Sequence, residues 1–263
     1  MADVEILEFK IPHGSSTLLY LPHITVDDLN EEQVYTMLYD HFSKWGLLYN
    51  INVKKGEEEE GEWFCYVRYY STRSASMARR DNRGTVVLFD GMIQFKVSSH
   101  TKSGGTMQLP LAKHKCEELA NYYLGFNGWS SSILHHKREE VGQGRVKVVS
   151  VVRLDLVKVG LSCEGAGQYE VDVEGDDRME EARLVAEVGK RAKGEALQAA
   201  WSKVVLVVVG GNKVGVEINT TKSDSFFYDP LWEDPVVTVK EADYSMDLGD
   251  GEKPFEDCSN VSS

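Results

Sequence analysis

Residues 62–70 read Glu62-Trp63-Phe64-Cys65-Tyr66-Val67-Arg68-Tyr69-Tyr70. Aromatic residues crowd the stretch and neither glycine nor proline interrupts it, which predicts a strand. Side chains along a strand alternate between two faces. Trp63, Cys65, Val67 and Tyr69 therefore share one face, and Phe64, Tyr66 and Arg68 share the other. The first set suits a buried core. The second places rings on a surface that something else must cover.

Working outward, Thr17-Leu18-Leu19-Tyr20-Leu21-Pro22-His23-Ile24 predicts a short strand ended by its proline. Val34, Met37, Leu38, His41, Phe42 and Trp45 recur at helical spacings, so a helix spans about 30–45. Asn30 with Gln33 forms a capping box at its start, and Gly46 closes it. A strand follows at Leu47–Val53, then an acidic loop at 56–61 with four consecutive glutamates. After the strand at 62–70, Ser71 or Thr72 caps a second helix that runs to about Asn82 and stops at Gly84. Met92–Val97 completes the set. The order β-α-β-β-α-β is the split, ferredoxin-like arrangement, with both helices on one sheet face and the other face free. Residues 1–100 are assigned to this domain and residues 101–112, which include two glycines, to a linker.

A second, smaller α+β domain is expected over 113–228. Cys116, Leu119, Ala120 and Tyr123 share one side of a helix at 115–124. Arg145–Leu161 is strongly β-prone, and a further strand lies near Gln168–Val173. The longest helical pattern is 179–203, weakened by Gly189 and Gly194. Val204–Val209 and Val214–Ile218 read as a hairpin. Residues 229–263 carry ten acidic and two basic groups, which predicts an acidic, disordered tail. The valine-rich runs 146–152 and 204–209 point to a homodimer that shares one edge or face.

The net charge of −13 alone argues against a nucleic-acid partner, but it hides a basic middle: residues 62–160 carry fifteen basic and eight acidic groups. Cys65, Cys116, Cys163 and Cys258 are too dispersed for a metal knuckle or redox pair, and no His or carboxylate set completes a metal site. No 18-residue apolar run exists and the N-terminus opens acidic, so neither a membrane span nor a secretory signal is expected. Gly210-Gly211-Asn212-Lys213 lacks the pattern of a P-loop, and no nucleophile elbow occurs. The expectation is a non-catalytic protein with no catalytic residues, no metal and no cofactor.

Two resemblances sharpen this. Leu19-Tyr20-Leu21-Pro22-His23-Ile24 resembles the six-residue signature of RNA-recognition-motif (RRM) domains, and Glu62–Tyr69 resembles the eight-residue one in outline. The resemblance implies that Tyr20, Phe64 and Tyr66 stack bases, with Arg68 and Lys96 supplying charge nearby. Glu62 and Trp63 stand where the family has a basic residue and a glycine, and Glu57–Glu60 precede them. The alternative is therefore an adaptor whose ring-bearing face binds a protein partner.

Lys115-Cys116-Glu117-Glu118-Leu119-Ala120-Asn121-Tyr122-Tyr123-Leu124-Gly125-Phe126-Asn127-Gly128-Trp129 is similar to the early helix and turn of the single-strand-annealing recombination mediators, the Rad52 family. Segments 145–158, 169–175 and 192–197 resemble that family's later strands and long helix less closely. The resemblance implies a single-strand site that uses Lys115, Lys193 and Lys203, with Ser202 in place of one basic residue. Structural roles fit the other residues: Asn121 and Asn127 capping a turn, and Trp129, Tyr122 and Tyr123 in a core. Over about 15–220 the chain resembles RRM proteins that contain a Rad52 motif. That family implies binding of single-stranded DNA, double-stranded DNA and RNA, a DNA-damage or recombinational-repair role, and residence in nucleus and cytoplasm.

Overall fold

The computed structural model describes residues 4–26, 28–56, 62–88, 91–98, 109–140, 144–172, 178–210 and 213–222. The glutamate loop, most of the expected linker and the acidic tail lie outside them.

The sheet built around residues 62–69 has five antiparallel strands. In chain order these are β2 (Leu18–Val26), β3 (Leu48–Lys55), β4 (Glu62–Tyr69), β5 (Thr85–Leu88) and β6 (Ile93–Lys96), arranged β3-β4-β2-β6-β5. Helices α1 (Glu31–Phe42) and α2 (Thr72–Asp81) cover one face. The core between them holds Leu19, Leu21 and Ile24 of β2, Cys65, Val67 and Tyr69 of β4, and Val34, Leu38 and Phe42 of α1. The Asn30–Gln33 capping box is present, with both bonds at 2.9 Å, and the Ser71 hydroxyl caps α2 by accepting from the Ser74 amide. Gly46, at φ +150°, ends a short 3-10 turn (Ser43–Trp45) where a Cβ would lie 2.3 Å from Ser74 Oγ.

Two details depart from the sequence reading. Pro22 does not end its strand: β2 continues to Val26, and its register against β4 shifts between Leu21 and Ile24. A bulge leaves a residue outside the ladder, so the missing proline N–H costs no sheet bond there. The expected last strand is also the second arm of a hairpin, because β5 pairs with β6 and widens the sheet.

The second half is built on α3 (Lys113–Leu124), the antiparallel sheet β7-β8-β9 (Ser130–Glu140, Arg145–Leu156, Leu161–Asp172) and α4 (Arg178–Ser202). Helix α4 lies almost on the backbone of β9. A Cβ on Gly167 would sit 2.4 Å from Ala192 O and Ala196 N, and one on Gly165 would sit 2.2 Å from Ala196 O. Glycine facing alanine is what permits that approach. Strand β7 was not legible in the sequence. It is an edge strand, and its serine-rich, charged composition lacks the apolar alternation that marks a half-buried strand.

The third sheet joins strands far apart in the sequence. An N-terminal strand, β1 (Val4–Glu8), pairs with β10 (Val204–Val209), which forms the expected hairpin with β11 (Lys213–Ile218). Leu7, Val204, Leu206 and Val208 face a core shared with α3 and α4, where Trp201 stacks on Phe9 at 4.7 Å. The outer face carries the exposed Val4 (55%) and Ile6 (66%) beside the half-buried Val205, Val207 and Val209.

The two halves form one body. Tyr70 is buried in the core of the second half, with Leu47 and Tyr49 packed against it. The Glu5 carboxylate of β1 caps α2, accepting from Thr72 N and Ser71 Oγ at 2.6 Å, from Thr72 Oγ1 at 2.8 Å and from Arg73 N at 3.2 Å. A carboxylate on unpaired helix N–H groups is favourable through both hydrogen bonds and the helix dipole.

Candidate nucleic-acid interface

Because β2 and β4 bury their alternate residues under the helices, Tyr20, Phe64 and Tyr66 are pushed onto the opposite face. Tyr20 and Tyr66 are register partners. Their rings stack at 4.8 Å and 22°, and Phe64 meets Tyr66 edge-on at 6.1 Å. All three rings are half-buried. Desolvation, followed by the Tyr66 phenol, raises the Tyr20 pKa above its ordinary value. Lys96 is exposed on this face because its neighbour Phe95 turns into the core. Arg68 is on it as well, but its guanidinium donates to Pro12 O. Burial lowers the Arg68 pKa, and the nearby Tyr49 acts in the opposite sense. It remains a cation at neutral pH.

The face has members that the sequence reading passed over. Asn50, Asn52 and Lys54 of β3 pair with Arg68, Tyr66 and Phe64. They share the face because Ile51 and Val53 take the core side. The signal was available: the alternation that sorted 62–70 applies equally to 48–55.

Lys115, Lys193 and Lys203 stand in different settings. Lys115, on the first turn of α3, pairs with Glu118 at 2.6 Å and lies 5.7 Å from the Tyr49 ring centroid. Lys193 is on α4, near His136; burial, then the Lys193 charge, lowers the His136 pKa. Lys203 lies just past the end of α4 and donates to Glu164 O at 2.6 Å. Ten residues of helix separate the last two by about 15 Å.

The segment around Leu119 is mostly spent on holding the fold. Leu119 and Ala120 are buried. Asn121 Oδ1 accepts from Trp129 Nε1 at 2.9 Å, and the Trp129 ring meets Trp201 edge-on at 5.2 Å. Lys158 donates to Leu124 O at 2.6 Å, closing the helix end. Phe126 (84% exposed) is different, and so is Tyr122 (54%), which faces solvent instead of the expected core.

Among the described residues no group of three His, Cys, Asp or Glu side chains is placed to hold a metal. Cys65, Cys116 and Cys163 are buried thiols outside any disulfide, and burial pushes the Cys65 and Cys116 thiols up to about 12. Those two are protonated at neutral pH and poor nucleophiles. No described helix is long and apolar enough to cross a membrane.

Comparison with known proteins agrees with this geometry. Residues 24–88 match the RNA recognition motif family, and residues 111–205 match the family described as the RDM1 DSRM domain. The RAD52 motif-containing protein 1 of Gallus gallus is 35% identical over 227 residues, covering 82% of this chain and 80% of that protein. The Danio rerio protein of the same name is 30% identical, covering 82% of each chain, and the Homo sapiens one is 26% identical, covering 81% and 80%. Among solved structures, the PID-3 TOFU-6 RRM domain complex aligns with 35% of this chain at 18% identity and a TM-score of 0.27, too low to carry an argument. With two such relatives matched along four-fifths of their length, the chain belongs to the family of RAD52 motif-containing protein 1.

Proposed function

We propose that the open face of the five-stranded sheet stacks the bases of single-stranded nucleic acid. The observation that carries this reading is the Tyr20–Tyr66 stack with Phe64 against it, on the face that neither helix covers. Every base presents a π-face, so the contact tolerates sequence, at about 1–3 kcal/mol per base. Lys54, Lys96 and Arg68 supply charge for the backbone. Single-stranded DNA and RNA are the primary ligands of this face. Lys115, Lys193 and Lys203 of the second half offer further cations to the nucleic-acid backbone.

In the cell this reading implies a part in the DNA-damage response or recombinational repair, in nucleus and cytoplasm, without catalysis. The working form is a homodimer joined through the outer face of β1-β10-β11. The exposed Val4 and Ile6, with the half-buried Val205, Val207 and Val209, form the apolar patch that the partner would cover.

One observation favours a protein partner on the open face instead: Arg68 is already engaged by Pro12 O, so that corner offers less free charge. Fluorescence titration with single-stranded DNA, duplex DNA and RNA at two salt concentrations separates the readings. Base stacking predicts single-strand binding that weakens with salt and with Phe64→Ala. Absence of single-strand binding by the folded protein favours the partner.

A further inference from the structure

A cleft of about 510 Å³ lies where the two halves meet. One wall is α1 with the edge strand β3: Tyr35, Tyr39, Tyr49 and Asn50. The other is the first turn of α3, which brings His114, Lys115 and Glu118. We propose that this cleft holds a nucleotide of the same single strand that crosses the open sheet face, so that the binding path continues from one half of the molecule into the other. The proposal rests on the sheet-face reading and extends its footprint.

Four observations carry it. First, Tyr35 (42% exposed) and Tyr39 (40%) sit one turn apart on α1, away from the core stripe of Val34, Leu38 and Phe42. Their rings lie 6.2 Å apart and 21° from parallel, an exposed ledge with a free π-face. Second, the register between β3 and β4 shifts between Leu48 and Asn50, which takes Tyr49 out of the ladder. Bulges re-aim side chains in this way, and here the ring lines the cleft. Third, Asn50 lies on the open sheet face opposite Arg68 and also lines the cleft, so the two surfaces are continuous. Fourth, the α3 wall supplies a cation where a phosphate would pass, in Lys115 beside His114. The cleft volume falls in the range of small-ligand sites.

Lys115 is paired with Glu118, which also accepts from Tyr70 Oη at 3.5 Å. A phosphate entering the cleft competes with Glu118 for the lysine. This gives the proposal a signed consequence: removing the Glu118 charge strengthens binding, whereas removing the rings weakens it.

The test uses the full chain and labelled oligothymidylates of about four and about twelve nucleotides. The shorter spans the two or three bases that the sheet stacks, and the longer can reach the cleft. The variants are Tyr35→Ala with Tyr39→Ala, and Glu118→Gln. The tyrosines are outside the core, and a melting curve checks that the fold is kept. The expected result is an affinity for the longer oligonucleotide about tenfold lower in the tyrosine variant and severalfold higher in Glu118→Gln, with the shorter one unaffected in both. Unchanged binding of the longer oligonucleotide by the tyrosine variant overturns the cleft and leaves the sheet-face reading standing. A tyrosine-dependent affinity for the longer oligonucleotide that Phe64→Ala leaves unchanged overturns the sheet face and, with it, the continuous path proposed here.

Discussion

The strand at 62–69 and the turn at 119–129 are the two most distinctive stretches of this chain, and the fold uses them in opposite ways. The first keeps Phe64 and Tyr66 on a surface, against Tyr20. The second turns Leu119, Ala120 and Trp129 inward and uses Asn121 to hold the Trp129 indole. A strand has two faces, and when helices bury one, the other lies open unless a further layer covers it. A helix end followed by a tight turn can wrap most of its side chains into one core. A distinctive motif can therefore mark either a site or a scaffold, and its secondary structure is what separates the two.

The comparison breaks most readily at Trp201, which anchors the scaffold side through Phe9 and Trp129. Trp201→Ala should cost about 3–5 kcal/mol in urea unfolding, the usual penalty for emptying a large buried ring site. A loss below about 1 kcal/mol would mean that the motif is not structural. The surface side breaks at the rings. Phe64→Ala and Tyr66→Ala should each weaken single-strand binding by about 1–3 kcal/mol while leaving the melting temperature nearly unchanged. An isolated loss of stability with affinity intact would place the rings in the scaffold class.

Gly167→Ala sharpens the scaffold argument with one methyl group. Its Cβ would meet the α4 backbone at 2.4 Å, so helix or strand must shift, at about 1–3 kcal/mol by chemical unfolding. Val207→Glu probes the outer valine face. Sedimentation at micromolar concentration should show a mass near twice 29.5 kDa for the native chain and one near 29.5 kDa for the variant. A native monomer throughout that range removes the dimer.

The smallest effect belongs to His41, whose ring packs on Phe42 and Trp45 and bonds Asn82 Oδ1 at 2.7 Å. Desolvation lowers its pKa; the Asn82 bond opposes this and Lys44 adds to it. The unfolded chain then binds the proton more readily than the fold does. The stabilisation from neutral His41 is thus complete above about pH 6.5, the ordinary histidine value, and is lost as pH falls from there toward the lowered folded value. Thermal melts of native protein and His41→Gln at pH 7.5 and 5.5 should differ less at the lower pH. An identical difference at both would show that His41 does not titrate between them.

Read alone, the sequence determined what depends on local periodicity and capping. The two faces of 62–69, the capping box at Asn30, a cap at Ser71 or Thr72, the long helix before Val204 and the hairpin after it all follow from spacing and residue type. The aromatic surface followed too, because alternation on one strand is enough to predict it. Strand β7 did not follow, since an edge strand can be polar. Strand β1 did not either, since its partner β10 is some two hundred positions away. Nor did the seam: Glu5 on the end of α2, Tyr70 in the second core, and a cleft whose tyrosines come from α1 and β3 and whose lysine comes from α3. Those depend on which surfaces meet when the whole chain packs, and no local pattern encodes a contact between residues so far apart.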